Sequence, residues 1–176
     1  MAAETNSPGA LHKDLTHRIV TVFFAVCNEL GFGFPEFVYR RALVIALRAG
    51  GMQVQEDVAL PVWFRGQRVA TFRADVLVCA SVLLEIRAAP ELDDLHGQEV
   101  LTCLKASDVE VGLLLNFGRS GDFRRLIFEN ARKVRSGNSG EGPSPDPAGE
   151  VRIGCDSGEV QGQAVGAVPL GPLRYD

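Results

Sequence analysis

Cysteine and histidine are scarce in this chain, and closely spaced pairs of either are absent. Four cysteines (Cys27, Cys79, Cys103 and Cys155) are scattered through 176 residues with no Cys-x-x-Cys pair. A disulfide framework and a zinc ribbon both need paired thiols, so both are excluded, and free thiols in a reducing compartment are expected. His12, His17 and His96 have no metal-ligand spacing, since two histidines five apart do not share a helix face. No apolar run reaches the ~20 residues that span a bilayer, so no membrane association is expected. Ile19 to Cys27 imitates the apolar part of a secretory leader, but it starts late, follows charged residues and lacks a small-residue cleavage site. The expected location is the cytoplasm. Nor is there an excess of base: 18 Lys and Arg against 22 Asp and Glu give a net charge of −4. That excludes a wholly basic nucleic-acid coat protein while leaving a local basic face open.

What is present is enough apolar material, 46% of the residues, for one buried core and too little length for two ordinary domains. The charge is unevenly placed. Ser136 to Asp176 holds six acidic residues and two basic ones, so the whole −4 lies there and residues 1–135 are neutral. The same segment holds 9 of the 19 glycines and 5 of the 9 prolines, with few large apolar groups to offset its ordering entropy. It is expected to be a disordered acidic tail. A flexible N-terminus at 1–10 and a folded domain at 11–135 complete the division.

Leu11, Leu15, Ile19, Val22, Phe23, Val26 and Leu30 recur at spacings of three and four, the stripe of an amphipathic helix closed by Gly31. A short link leads to a second helix over Pro35–Ala49, with proline at its start and Gly50-Gly51 at its end. The period then changes. Val54–Phe64 and Arg68–Cys79 read as strands around an Arg65-Gly66-Gln67 turn, and Val82–Ala88 as a third. Leu92–Ala106 returns to helical spacing despite Gly97, and Val109–Phe117 reads as a central strand. Phe123–Val134 fits either a basic amphipathic helix or an edge strand followed by a helix. This order predicts a layered α/β domain with a mixed sheet.

Two carboxylates stand out in otherwise apolar strands: Asp75 and Glu85. An odd hairpin loop centred on Ala80 places them directly opposite each other, on one face with Cβ atoms about 5 Å apart. Arg87, two residues beyond Glu85, falls on that face as well. Converging carboxylates suit a hard divalent ion such as Mg²⁺, which keeps several waters and binds substrate phosphate. Such an ion polarises a phosphoryl oxygen and supplies a metal-bound hydroxide. The alternative is a salt-bridge network of Asp75, Glu85 and Arg87 on a solvated face.

Gly33-Phe-Pro-Glu36-Phe-Val-Tyr39 matches the motif that names the GxxExxY protein family. Asn28-Glu-Leu-Gly31, Arg40-Arg-Ala-Leu43, Arg73-Ala-Asp75, Leu84-Glu85-Ile86, His96, Leu104-Lys105 and Val111-Gly112-Leu-Leu-Leu-Asn116-Phe117 resemble it too, in order, over roughly residues 11–130. That family is similar to the PD-(D/E)XK, restriction-endonuclease-like phosphodiesterases. The resemblance implies an α-β-β-β-α-β core and an Mg²⁺- or Mn²⁺-dependent nuclease acting on DNA, with RNA as the alternative. It implies catalytic roles for Glu36, Asp75 and Glu85, and a metal set of Asp75, Glu85 and the Ile86 carbonyl. Three positions depart from the pattern: Arg87 replaces the catalytic lysine, Glu99 the usual glutamine, and Cys103 the usual tyrosine. Arg87 keeps the charge and is expected to serve catalysis electrostatically, by steadying charge on the phosphate, but it cannot act as a general base. With 15 Arg to 3 Lys in the chain, Arg87 is open to a reading as compositional bias. A catalytically inactive nucleic-acid-binding, regulatory or interaction protein on the same fold is the alternative function.

The remaining candidates each have two readings. Glu36 is a metal ligand or an acid favoured by a helix N-terminus. Tyr39 packs against the sheet or bonds an acid through its hydroxyl. Lys105 contacts phosphate or sits at a solvated helix end. Glu99 adds an acid to the metal site or repels phosphate. Arg119, Arg124, Arg125, Arg132 and Lys133, with Arg135, make a basic segment that could hold a nucleic-acid backbone or lie against the acidic tail. No aromatic residues interleave with these cations in the way base stacking requires.

Overall fold

The computed structural model describes residues 11–133, so the expected N-terminal arm and acidic tail lie outside the described residues. Helix α1 (Lys13–Leu30) buries Ile19, Phe23 and Val26 from the predicted stripe and ends at Gly31, whose φ of 68° leaves the helical region. Helix α2 (Glu36–Ala49) follows Pro35 and buries Tyr39, Leu43, Val44 and Leu47. Five strands come next in chain order: β1 (Val54–Phe64), β2 (Gln67–Val78), β3 (Val82–Arg87), β4 (Val111–Asn116) and β5 (Asp122–Ile127). Helix α3 (Asp94–Lys105) connects β3 to β4.

The sheet order is β1-β2-β3-β4-β5, with β3 and β4 parallel and the other pairs antiparallel. Helices α1 and α2 cover one face, against Val76, Val78, Val82, Leu84, Ile86, Val111, Leu113 and Leu115. Helix α3 covers the other, against Ala74, Leu83, Leu114 and Leu60. All of β4 and nearly all of β3 are buried, as expected of a parallel pair enclosed on both faces. The predicted α/β class and mixed sheet are thus observed.

The undecided C-terminal segment is an edge strand, β5, followed by a single 3-10 turn at Asn130–Arg132. Its main chain satisfies the open edge of β4, which a helix could not have done. Gly97 sits inside α3 without breaking it. A reciprocal cap offsets its roughly 1 kcal/mol propensity deficit: the Asp93 carboxylate accepts from the His96 amide at 3.0 Å, and His96 Nδ1 accepts from the Asp93 amide at 3.2 Å.

Candidate active site

The β2–β3 loop is Cys79-Ala80-Ser81, with Cys79 and Ala80 both at φ 49°. The register runs Val78↔Val82, Leu77↔Leu83, Val76↔Leu84 and ends one step short of the Asp75–Glu85 pairing that loop parity predicts. There the ladder gives way. Asp75 Oδ2 accepts the Ile86 amide at 2.8 Å, so a side chain takes a strand donor. At this point β2 also changes face: Ala74 packs under α3, whereas Val76 and Val78 pack under α1 and α2.

Arg87, at the end of β3, joins the cluster. Its Nη1 donates to the Ile86 carbonyl at 2.7 Å and lies 3.6 Å from Glu36 Oε1, 3.6 Å from Asp75 Oδ2 and 3.7 Å from Glu85 Oε2. Its Nη2 bonds Glu99 of α3. Glu36 arrives as the first residue of α2, and Arg40, one turn later on the same helix, holds Asp75 Oδ1 at 3.2 Å. From α3, Cys103 Sγ donates to Glu85 Oε1 at 3.5 Å. Three segments far apart in sequence therefore meet at one end of β3.

Burial dominates the electrostatics. Glu85 is 5% exposed, and burial, with the Asp75 charge adding and Arg87 opposing, pushes its carboxyl up to about 8. It carries its proton at neutral pH. Glu36 is also raised, first by burial and then by Asp75, against the pull of Arg87. Burial and the Glu85 charge drive the Cys103 thiol up to about 12, so it stays a donor. For Arg87 burial opposes the charge, but the Glu99 bond and the surrounding carboxylates outweigh it and raise the guanidinium.

Tyr39 is wholly buried, its ring stacked on Phe117 with centroids 4.6 Å apart. Its hydroxyl bonds main chain, not an acid: it donates to the Gly31 carbonyl at 3.0 Å and accepts the Phe34 amide at 3.1 Å. Lys105 is not brought to the cluster; its Nζ lies 5.4 Å from the Phe128 ring centroid. Of the basic segment, Arg124 bonds the Leu92 and Asp93 carbonyls, Arg125 the Leu11 carbonyl, and Lys133 those of Ser107 and Val109. Arg132 pairs with Glu129 at 3.8 Å. Arg124, Arg125 and Lys133 are thus spent on the fold, while Arg132 makes only an exposed local pair. Arg119 instead lies over the ring of Phe32.

Does this donor set suit a divalent cation? Glu36, Asp75, Glu85 and the Ile86 carbonyl are all hard oxygen donors, the kind Mg²⁺ prefers. Four carboxyls, Glu99 included, face only two guanidiniums, so negative charge is in excess around a Glu85 whose carboxyl burial already raises. The chemistry fits. What stands at the focus is Arg87 Nη1, which holds the carboxylates at ion-pair spacing and not at the roughly 2.1 Å of an Mg–O bond. Accordingly, among the described residues no group of three or more His, Cys, Asp or Glu is arranged to hold a metal. A cation held by these oxygens would have to take the place of the guanidinium.

Sequence reading missed Arg40, whose spacing of four from Glu36 was the available signal, and the aromatic surface around Phe32 and Phe34. It treated Cys103 only as a departure from a pattern.

A mixed sheet between two α1–α2 helices and α3, with acids gathered where β2 and β3 part, defines a restriction-endonuclease-like α/β domain. A sequence model of the PD-(D/E)XK nuclease superfamily matches residues 13–126, and the chain belongs to that superfamily. No curated protein and no solved structure matches the chain.

Proposed function

We propose that the chain is a divalent-metal-dependent phosphodiesterase of the GxxExxY family that hydrolyses DNA, with RNA as the alternative substrate, in the cytoplasm. The observation that carries this reading is the convergence of Glu36, Asp75, Glu85 and the Ile86 carbonyl on a single point at the end of β3. When bound there by Asp75, Glu85 and the Ile86 carbonyl, Mg²⁺ or Mn²⁺ would polarise a phosphoryl oxygen and activate water. Glu85 would give up its proton, so affinity for the ion should rise with pH through about 8. Glu36 would orient the site from the start of α2. Arg87, displaced toward Glu99, would keep its charge beside the scissile phosphate and steady the transition state without moving a proton.

A nuclease assay in Mg²⁺ and in Mn²⁺ tests this. Wild type should cleave slowly, Asp75→Ala should lose at least about 10²-fold, and Arg87→Lys should cleave faster. The second reading, a nucleic-acid-binding or regulatory protein without catalysis, is favoured by one fact: the guanidinium already stands where the cation would. Salt-sensitive DNA binding with no cleavage by wild type or Arg87→Lys would establish that reading instead.

A further inference from the structure

Beyond Arg87 the chain leaves the carboxylate cluster as Ala88-Ala89-Pro90 and lines a cleft of about 250 Å³ together with Phe32, Phe34 and Arg119. The cleft therefore begins one residue from the candidate site of phosphodiester chemistry. Its aromatic lining is open to solvent: Phe32 is 63% and Phe34 47% exposed. Both rings line the same cleft, so their exposed apolar surface is presented together.

Both sides of the cleft are held rigidly. On the aromatic side, Gly31 and Gly33 take φ of 68° and 108°, and the buried Tyr39 hydroxyl grips the Gly31 carbonyl and the Phe34 amide. On the other, the buried Asn116 side chain binds both the amide and the carbonyl of Ala89, at 2.9 and 3.0 Å. Gly118 is there because a Cβ would come within 2.3 Å of the Ala89 oxygen. An aromatic surface that is exposed yet pinned is prepared for a flat partner. The cation is available too. Arg119 stands with its guanidinium carbon 5.7 Å from the Phe32 ring centroid, and among the described residues it makes no ion pair with an acid. Of the other cations in the basic segment, Arg124, Arg125 and Lys133 donate to main-chain carbonyls, and Arg132 stands 3.8 Å from the Glu129 carboxylate.

We propose that this cleft binds an unpaired nucleobase of a single strand, with Phe32 and Phe34 as the stacking surface and Arg119 on the adjoining phosphate. Resting on the nuclease reading, this names its substrate class. A base inside a duplex has both faces covered by its neighbours and cannot offer one to a ring, whereas a single strand can. The carboxylate cluster adjoining the cleft would then face the phosphodiester next to the bound base.

The experiment is fluorescence anisotropy with the full chain in EDTA at low salt, so that no cleavage enters. The probes are a labelled thymidine dodecamer, an abasic dodecamer with the same backbone, and a twelve-base-pair duplex. Wild type should bind the thymidine strand about tenfold or more tightly than the abasic strand or the duplex. Phe32→Ala and Phe34→Ala should each weaken thymidine-strand binding by a similar factor and leave duplex binding unchanged, with Phe32→Trp restoring it. Both positions are solvent-facing, and circular dichroism checks that the variants stay folded. Equal binding of thymidine and abasic strands, or phenylalanine variants that bind as wild type, would overturn the proposal. So would a wild type that binds no oligonucleotide but forms a dimer lost in Phe32→Ala, which would assign the patch to a second copy of this chain. The nuclease reading fails separately: base-dependent binding with no cleavage on adding Mg²⁺ leaves the cleft assigned and removes hydrolysis. Cleavage without base-dependent binding does the reverse.

Discussion

A guanidinium is the one side chain that can answer four carboxyls at once, and Arg87 does so. Nη1 faces Glu36, Asp75 and Glu85 while Nη2 takes Glu99, a fork that a lysine ammonium cannot reproduce. Removing it leaves acids uncompensated in a site only 19% exposed at the arginine side chain. Arg87→Ala should therefore lose about 2–3 kcal/mol in EDTA, at or below the foot of the roughly 3–5 kcal/mol that breaking a buried ion pair costs, because solvent reaches the rim. Millimolar Mg²⁺ should then raise its melting midpoint more than it raises that of wild type. A variant midpoint indifferent to Mg²⁺ would show that Arg87 does not stand at a cation's position. Glu85 makes the second prediction at this scale. Its native carboxyl titrates near 8, above the roughly 4.3 of an unfolded glutamate, so the folded chain holds the proton more tightly. The stability it contributes is full below about 4.3 and is lost as pH rises through about 8. Urea denaturation in EDTA at pH 5, 7 and 9 should show this decline in wild type and a flatter profile in Glu85→Gln; equal slopes would refute it.

At the scale of the element, the spacing of Gly33, Glu36 and Tyr39 acquires a physical meaning. Gly33 makes the turn at φ 108°, Glu36 opens α2 and faces Arg87, and Tyr39, one turn on, reaches back from the core to hold the link. Tyr39→Phe deletes a donor and an acceptor and strands the Gly31 carbonyl and the Phe34 amide. A loss of about 1–3 kcal/mol is expected by urea denaturation. Oligonucleotide affinity should fall with it, since the link carries Phe32 and Phe34. The hairpin was legible from sequence because loop parity alone decides whether Asp75 and Glu85 share a face. Asp122–Ile127 was not, because six residues with Phe123, Leu126 and Ile127 satisfy either period. The open edge of β4 made the choice.

For the molecule as a whole, charge had suggested a basic nucleic-acid face near the end of the folded part. Most of those cations are fasteners: Arg125 ties β5 to Leu11 ahead of α1, and Lys133 ties the segment after β5 to the turn after α3. Arg125→Gln or Lys133→Gln should each lower stability by about 1 kcal/mol, with little effect on oligonucleotide affinity. Arg119→Gln should do the opposite, and a thermal melt beside a binding titration separates them. If Arg125→Gln instead weakened binding and left the melt unchanged, the basic segment would be an interface after all. The aromatic rings that meet a cation of this segment come from the α1–α2 link, and Phe32 meets Arg119 only across the fold.

The order of the first seven elements and the α/β class follow from the sequence by itself, because hydrophobic periodicity is a local property of the chain, and loop parity is what aims Asp75 and Glu85 toward each other. Tertiary structure alone decided that Glu36, Arg40, Glu99 and Cys103 join Asp75 and Glu85, that Arg87 occupies the point the carboxylates share, and that rings and the Arg119 guanidinium form a cleft beside it. Those meetings depend on how α2 and α3 pack on opposite faces of one sheet, and no local pattern encodes the distance between residues on different elements.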